Sequence, residues 1–211
     1  MSYRPGMPSP TSTTTPASTV GVREVQRLET RTRLFDAAVT EVGRSGLAGA
    51  DVSAIAAAAG VARGTFYFHF PTKEHVIVEL ERAEEAKIVA KLDTTTTSSL
   101  ASVLAELIHH VLAAEQRLGT VTFRDMLGLH FSSTRPIDDE LREHPLAEFV
   151  IAVITEAQAN GRVQQDADAG ELGVIFMTGL FALLATTPAS AERVALLDRY
   201  VTTIVQGMET R

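Results

Sequence analysis

The chain has 211 residues, of which 45% are hydrophobic and 21% charged, the composition of an ordinary globular protein with one or two domains. It contains no cysteine, which excludes disulfide bonds and thiolate metal sites and is typical of a reducing compartment. The net charge is −7, yet residues 1–73 hold 8 Lys and Arg against 5 Asp and Glu, whereas the remainder holds 11 against 21. This asymmetry predicts that only the N-terminal end contacts a polyanion.

Two stretches of the sequence are candidates for a targeting or membrane segment. Residues 1–22 are rich in Ser, Thr and Pro and lack the apolar core of a secretory signal, so we predict a disordered arm. The most apolar stretch, Leu172 to Ala185, is shorter than the roughly 20 residues of a membrane span, which predicts a buried helix. The sequence therefore predicts a soluble, cytoplasmic protein.

Helical periodicity dominates the rest of the chain, without a convincing alternating strand or βαβ unit, and predicts an all-α fold of about nine helices. The first four are expected at Val22 to Arg44, Val52 to Ala59 with Asp51 as N-cap, Arg63 to Phe68, and from a Thr72 cap to Leu92. The others are expected at 99–117, 120–131, 138–160, 168–187 and 190–208, and Pro145 should kink the seventh or end a first piece of it.

The chain has nine Phe and three Tyr, and four of these aromatic residues lie in the stretch GVARGTFYFHF, residues 60–70. Gly60 fits the left-handed conformation that closes the second helix. Ala56 is small enough for another helix to cross closely, and Phe66 can reach back into a small core. This spacing is that of a DNA-binding helix-turn-helix, whose second helix enters the major groove.

The aromatic residues are predicted to divide between this core and DNA. Phe66 and Phe70 fill the core, which leaves Tyr67, Phe68 and His69 toward the DNA, where phenol and imidazole groups can hold phosphates.

The other predicted DNA contacts are polar. Arg63 is the one long cation on the recognition helix and is the predicted base reader, with guanine as its target. Thr65 can contact a thymine methyl group or a phosphate. Lys73, in the first turn of the fourth helix, combines a cation with unpaired backbone N–H groups and is a predicted phosphate clamp.

Residues 33–76, RLFDAAVTEVGRSGLAGADVSAIAAAAGVARGTFYFHFPTKEHV, resemble the N-terminal domain of TetR-family transcriptional regulators. The matching residues are Ala38, Gly46, Ile55, Ala56, Gly60, Val61, Gly64, Thr65, Tyr67, His69, Phe70, Lys73 and Glu74. The match is dense over about a fifth of the chain, and the rest agrees only in the number, length and order of its helices. The resemblance implies a homodimeric repressor whose C-terminal domain binds a small molecule and thereby releases DNA.

The resemblance also implies a domain division and a set of site residues. It implies an arm over 1–22, a DNA-binding domain over 23–71 and a ligand-binding and dimerisation domain over 72–211. DNA-contact roles carry over to Ser53, Arg63, Gly64, Thr65, Tyr67, Phe68, His69 and Lys73. One departure is Asp51, since members often have a Thr or Ser there that donates to a phosphate. An anionic Asp51 would repel that phosphate, so Ser53 or the arginines Arg23, Arg27, Arg31 and Arg33 must compensate.

The C-terminal part is predicted to bind an apolar or amphipathic effector between the fourth and eighth helices, because it has few internal charges. The candidate lining residues are His109, Phe123, Met126, Leu127, Phe131, Met177 and Phe181. Each of them could equally belong to the core.

A metal site is the competing hypothesis for the histidines. Glu106 and His109 have the spacing of half a di-iron carboxylate site, and His110 and His130 are further candidate ligands. The sequence lacks the second Glu-x-x-His pair that such a site needs, so we predict neither a metal nor another cofactor.

Two other function classes are weighed against a DNA-binding regulator. No cysteine nucleophile, Gly-rich phosphate loop or H-E-x-x-H motif indicates an enzyme. A helical interaction protein that has lost DNA binding is disfavoured by the presence of Arg63, Tyr67 and Lys73.

The last two predicted helices each carry an apolar stripe, which predicts a homodimer that closes as a four-helix bundle. The stripes consist of Leu172, Phe176, Gly179, Leu180 and Leu183, and of Val194, Leu197, Val201, Ile204 and Met208. Gly173 and Gly179 are expected to allow close approach.

Overall fold

The computed structural model describes residues 18–92 and 99–209, and these form nine α-helices and two 3₁₀ turns. The predicted all-α class is confirmed. The helices are α1 (Ser18–Gly49), α2 (Val52–Ala58), α3 (Arg63–His69), α4 (Lys73–Val89), α5 (Leu100–Leu118), α6 (Thr120–Gly128), α7 (Pro145–Ala159), α8 (Ala169–Thr186) and α9 (Ala191–Met208). The 3₁₀ turns are Leu129–Phe131 and Leu141–Glu143.

Two helices begin where the sequence did not predict. Helix α1 begins at Ser18, so residues 18–22 are helical rather than disordered, and residues 1–17 of the predicted arm lie outside the described residues. Helix α7 begins at Pro145, seven residues later than expected. Proline fits the first helical position because it has no N–H to leave unpaired. Residues 132–144 therefore form a loop, and this loop brings polar side chains against α4.

The predicted cap of α2 is confirmed and that of α4 is corrected. Asp51 Oδ1 accepts a hydrogen bond of 2.9 Å from the N–H of Ser53 at the start of α2. Thr72 occupies the N-cap position of α4 without bonding a backbone N–H. Its hydroxyl instead lies 3.0 Å from Nδ1 of His75, so the imidazole takes the hydroxyl group that would otherwise bond a backbone N–H.

Two hydrophobic cores share α1 and α4. The head core, between α1, α2, α3 and the start of α4, consists of Leu34, Ala38, Ile55, Ala59, Phe66, Phe70 and Val76. The body core extends from α4 through α5 to α9 and includes the next residue of α4, Ile77. Consecutive residues of α4 thus pack into different cores, so a shift of this helix changes the packing of both cores.

The head and the body are also connected where the end of α1 contacts α6. Gly46 interrupts α1 with a φ of 72°, a left-handed conformation that favours glycine. At this kink the N–H of Leu47 donates to Oδ2 of Asp125, and a β-carbon on Gly46 would lie 3.1 Å from the same oxygen. The kink therefore fixes the head against α6 by a charge-assisted hydrogen bond.

Helix α8 is long and apolar enough, by length and composition, to cross a membrane. Its side chains Phe176, Met177 and Leu180 are nevertheless fully buried in the body core. One face of α8 thus packs in the core, whereas the sequence predicted a buried helix and Ile175 on another face is 56% exposed.

Helices α5 and α9 are joined by a buried ion pair that the sequence did not predict. Both guanidinium Nη atoms of Arg193 donate to the carboxylate of Glu115, Nη1 at 3.1 Å from Oε1. Both side chains are at most 5% exposed. The bidentate geometry compensates two charges that would be costly to bury singly.

Candidate nucleic-acid interface and effector site

The turn between α2 and α3 has the predicted helix-turn-helix geometry. Gly60 has a φ of 70°, and the N–H of Val61 donates to the carbonyl of Ala56 at 3.0 Å. Phe66 and Phe70 are buried in the head core, with their ring centroids 5.7 Å apart. These two rings fix the rotation of α3, and that rotation determines which side chains point away from the protein.

Arg63, Tyr67 and Phe68 form the outward face of α3. Tyr67 is 46% exposed and Phe68 is 74% exposed. Nη2 of Arg63 donates to the hydroxyl of Tyr67 at 3.4 Å, and the guanidinium carbon lies 5.9 Å from the centroid of that ring. This contact holds the cation at the surface without burying it, so its remaining N–H groups can reach a base edge.

Gly64 and Thr65 complete the surface on the first turn of α3. A β-carbon added to Gly64 would meet no other heavy atom of the described chain within 4 Å. The missing side chain therefore leaves room for a partner to approach the backbone, which is consistent with the predicted DNA contact.

Asp51 and Ser53 lie exposed at the start of α2. The hydrogen bond from the Ser53 N–H lowers the pKa of Asp51, and Arg63 lowers it further by its charge. The carboxylate is therefore anionic at neutral pH, as the predicted repulsion of phosphate requires.

Two of the four arginines expected to offset this charge are already paired. Arg27 Nη2 lies 2.6 Å from Oε1 of Glu24. Arg31 Nη1 donates to Oε1 of Glu79 at 2.6 Å, and its guanidinium lies over the Phe70 ring. The compensation that the sequence suggested therefore falls mainly to Arg23 and Arg33.

His69 is half-buried at the end of α3. Burial lowers its pKa, and the positive charges of Arg27 and Arg31 lower it further. Its Nδ1 is buried without a hydrogen-bond partner among the described residues. The ring is therefore neutral at neutral pH, and in the predicted DNA contact it would act as a hydrogen-bonding group rather than as a cation.

Lys73 has a structural role that the sequence did not reveal. Its Nζ donates to the carbonyls of Ala48 and Ala50, each at 3.1 Å, and so caps the end of α1 from the start of α4. An ammonium group has three N–H donors, so one is left for the predicted phosphate contact.

The seven predicted effector-lining residues do not form one site. Five of them lie buried together in the body core: Phe123, Met126, Leu127, Met177 and Phe181. His109 is exposed on α5 and lies apart from this group. Phe131 is 53% exposed and lines an open cleft.

That cleft has a volume of about 890 Å³ and lies between the head and the body. Leu47, Ala48, Lys73 and Glu74 contribute the head side. The body side consists of Arg124, Asp125, Gly128, Leu129, Phe131, Ser132, Thr134, Ala182, Ala185 and Thr186. The volume is in the range of small-molecule sites, and most of the lining is apolar.

Comparison with known proteins agrees with this geometry. Residues 34–80 match the model of the bacterial regulatory proteins of the tetR family. Residues 34–80 thus form a DNA-binding domain of the TetR family.

Two curated relatives and one solved structure are similar to this chain. The fatty acid metabolism regulator protein of Bacillus subtilis is 25% identical over 142 residues, 64% of this chain and 72% of that protein. The HTH-type transcriptional repressor KstR of Mycobacterium tuberculosis is 36% identical over 75 residues, 36% of this chain and 34% of that protein. Thermus thermophilus FadR in complex with lauroyl-CoA superposes with a TM-score of 0.68 at 21% identity, over 86% of this chain and 96% of that one.

A buried polar cluster in the body of this chain was missed from the sequence. His130 Nε2 lies 2.8 Å from Oε1 of Glu81, while His144 bridges Oε1 of Glu85 at 3.2 Å and Oδ1 of Asp139 at 2.8 Å. Glu81 and Glu85 are four residues apart on α4. That spacing was the available sequence signal, because it places both carboxylates on one helical face.

The cluster separates the protonation behaviour of its two histidines. Burial lowers the pKa of His130 to about 4, helped by the charges of Arg135 and His144. Burial also opposes the charge on His144, but the hydrogen bonds and charges of Glu85, with Glu81 and Asp139, raise its pKa to about 9. His130 is thus neutral and His144 cationic at neutral pH.

The carboxyl groups of the cluster also differ in the direction of their pKa shifts. Burial raises the pKa of Glu81 well above its usual value, and the negative charge of Glu85 adds to this. For Asp139, the hydrogen bonds from His144 and Arg82 outweigh burial and lower the pKa. Glu81 and His130 therefore share a hydrogen bond between neutral groups rather than an ion pair.

Of the histidines weighed as metal ligands from the sequence, His130 belongs to this cluster, whereas His109 and His110 do not. His109 and His110 lie side by side on α5, and Nε2 of His110 is 3.9 Å from a carboxylate oxygen of Glu106. His130 lies far from this pair in the sequence and contacts α4 instead. The structure therefore separates residues that the sequence had considered together.

Proposed function

We propose that this TetR-family chain is a repressor that binds a palindromic operator as a homodimer and is released by a lipophilic effector. One observation carries the proposal: α3 presents Arg63, Tyr67 and Phe68 outward while Phe66 and Phe70 fix it in the head core. The relative from M. tuberculosis is itself named a transcriptional repressor. We propose no catalytic activity and a cytoplasmic location, where such a protein meets DNA.

The effector we propose is a long-chain acyl thioester of coenzyme A. The T. thermophilus structure holds lauroyl-CoA, and the relative from B. subtilis is named a fatty acid metabolism regulator. In this chain the cleft supports the same chemistry. Leu129, Phe131 and Ala182 offer an apolar surface for an acyl chain, whereas Lys73 and Arg124 can pair with phosphates.

The position of the cleft suggests how binding could release DNA. Its head side includes Ala48 and Lys73, which are held together by a hydrogen bond, and its body side includes Arg124 and Ala182. An effector shifts the balance only if it binds one arrangement of the head better than the other. A molecule in this cleft touches both parts, so its fit depends on their relative position.

The proposed dimer uses a face of α8 other than the predicted stripe. Phe176 and Leu180 are buried within one protomer, and a β-carbon on Gly179 would lie 2.4 Å from the Tyr200 hydroxyl of α9. Gly179 thus allows α8 and α9 to pack within the protomer. The outward face of α8 carries Ile175, which is 56% exposed, and we propose that this face meets a second copy.

The experiment combines operator mapping with release. DNA selected from genomic fragments by the purified protein would be footprinted, and the expected protection is a palindrome with half-sites roughly 34–36 Å apart. Acyl-CoA esters of increasing chain length would then be added to the complex, with coenzyme A alone as control. We expect release that grows with chain length. Absence of any selected DNA would contradict the repressor, and release by coenzyme A alone would contradict the acyl effector.

A further inference from the structure

The buried polar cluster lies between α4, the 3₁₀ turn Leu129–Phe131 and the start of α7. Atoms of Glu81, His130 and His144 that can coordinate a metal lie within 4.8 Å of one another. The three side chains are at most 4% exposed. We propose that they bind a first-row divalent transition-metal ion, of which Zn²⁺ fits the donors best. This inference does not depend on the proposed effector or operator.

The donor set is the basis of the assignment. Two imidazole nitrogens and one carboxylate oxygen are ligands that Zn²⁺ shares with its first-row neighbours, whereas Mg²⁺ and Ca²⁺ prefer oxygen alone. Binding the ion would release the protons that Glu81 and His144 carry in the metal-free cluster. Such an ion lies about 2.0–2.2 Å from each ligand, so in tetrahedral geometry two of its ligands are about 3.3–3.6 Å apart. The ligand atoms must therefore approach one another by at most about 1.5 Å, which side-chain rotations can supply. A fourth coordination position stays open.

The neighbouring carboxylates would orient the ligands. His144 contacts Asp139 through Nε2 and Glu85 through Nδ1. When one nitrogen turns to the ion, the other keeps its carboxylate, which is the usual arrangement around a metal-bound histidine. Asp139 is itself held by Nη2 of Arg82 and Nε of Arg135, each at 3.0 Å.

A purely structural hydrogen-bond network is the alternative explanation for this cluster. Such a network should satisfy its own buried atoms, because unpaired buried polar groups cost stability. Within the described residues, Nδ1 of His130, Nε of Arg82 and Nη2 of Arg135 are buried without a partner. Two buried imidazoles in an incomplete network are better explained by a ligand than by packing alone.

The chain supplies a matched control for metal binding elsewhere. His109 and His110 on α5 are adjacent and less buried, and Glu106 lies near them, so they are the competing place for an added ion. A variant without these two histidines keeps the buried cluster intact. A variant without His130 keeps the α5 pair.

The test uses the untagged full-length protein after treatment with EDTA and desalting. Zn²⁺ would be titrated by calorimetry and Co²⁺ by visible absorption. The chain has no cysteine, so the Co²⁺ bands report nitrogen and oxygen ligands only. We expect one ion per protomer and a higher melting temperature when it is bound. His130→Gln and His144→Gln should each weaken binding at least about tenfold, whereas the double variant His109→Gln/His110→Gln should bind as the wild type does.

Circular dichroism in EDTA identifies any variant that fails to fold. If His144→Gln is unfolded, the wild-type stoichiometry and the His130→Gln titration decide the question. The proposal is overturned if the wild type binds no stoichiometric ion. It is equally overturned if the His109→Gln/His110→Gln variant loses the ion while His130→Gln keeps it.

Discussion

Along α3, the aromatic residues divide between packing and the predicted DNA contact. Phe66 is fully buried in the head core, whereas Phe68 is 74% exposed. We expect Phe66→Ala to cost about 3–5 kcal/mol of stability, because it leaves a cavity in a small core. Phe68→Ala should change stability by less than about 0.5 kcal/mol and yet weaken operator binding. Thermal unfolding and DNA titration of both variants test this division, and a large loss of stability in Phe68→Ala would refute it.

Arg63 and Lys73 are predicted to differ in what they contribute to DNA binding. Arg63 stands exposed at the start of α3, so Arg63→Ala should cost about 1–3 kcal/mol per half-site and remove the preference at one base pair. Lys73→Ala should weaken operator and random DNA alike and lower the salt slope by about one per subunit.

Both variants would be measured at several salt concentrations against the operator and its single-base mismatches. Lys73→Ala should also lower the melting temperature, because Lys73 bonds the carbonyls of Ala48 and Ala50. If Arg63→Ala keeps full discrimination while affinity falls evenly, Arg63 is a phosphate contact and Thr65 or His69 reads the bases. If Lys73→Ala leaves the salt slope unchanged, Lys73 acts only as the cap of α1.

The carboxylate of Asp51 caps α2 but also faces the predicted DNA backbone, where its negative charge is unfavourable. Asp51→Ser keeps a capping oxygen, removes the negative charge and adds a donor. We expect operator affinity to rise by about 1 kcal/mol per half-site, with little change in stability. Asp51→Ala is the matched control, because it removes the same charge but should lose about 1 kcal/mol of stability with the cap. Equal or weaker DNA binding by Asp51→Ser would show that no phosphate approaches this position.

At the scale of single elements, the sequence predicted what is encoded locally. The positions of α2, α3 and α5 follow from caps and glycines within the elements themselves, as with Asp51 and Gly60. The start of α7 was misplaced because the apolar pattern continues upstream of Pro145, although the proline begins the helix. The loop before Pro145 holds Asp139 and His144, so that error also concealed the buried polar cluster.

Contacts between distant helices could not be predicted in the same way. The pair of Glu115 and Arg193 joins residues 78 positions apart, and each residue alone resembles an ordinary surface charge in an amphipathic helix. In the α8 stripe that predicted a dimer, Phe176 and Leu180 are buried within the protomer. Periodicity shows that a helix face is apolar but not what covers it.

The ion pair between α5 and α9 allows a test of these long-range contacts. Arg193→Met should cost about 3–5 kcal/mol, because it leaves Glu115 buried and uncompensated. The double variant Arg193→Met/Glu115→Leu should recover most of that loss, since two apolar side chains can pack in the same volume. Urea unfolding of the two single variants and the double variant gives the coupling energy. Additive losses would show that the two residues act independently.

At the scale of the whole molecule, head and body are connected at two places. One is α4, whose Val76 packs in the head core and whose Ile77 packs in the body core. The other is the kink of α1, where the N–H of Leu47 donates to Asp125 of α6. The open cleft lies between these parts and is lined by Leu47 and Asp125 themselves. A ligand in the cleft would therefore act where the head is attached, without a signal having to cross the body core.

The proposed operator has two half-sites and therefore requires two heads. A mutation on the outward face of α8 can test whether two copies of the protein assemble there. The outward face of α8 carries Ile175, which is 56% exposed. A large exposed apolar side chain on an apolar helix is consistent with a surface covered by a partner. Ile175→Glu would place a charge in this interface, and we expect a monomer at micromolar concentration by light scattering.

The same variant should bind the full operator much more weakly, while its affinity for an isolated half-site stays near that of the wild type. The difference arises because a dimer gains the second half-site at a high effective concentration. Ile137→Glu is the matched control, since Ile137 is fully exposed in the loop before α7 and its replacement should leave both assembly and affinity unchanged. If Ile175→Glu remains a dimer with full operator affinity, the two copies meet through another surface, and the outward face of α8 has a different partner.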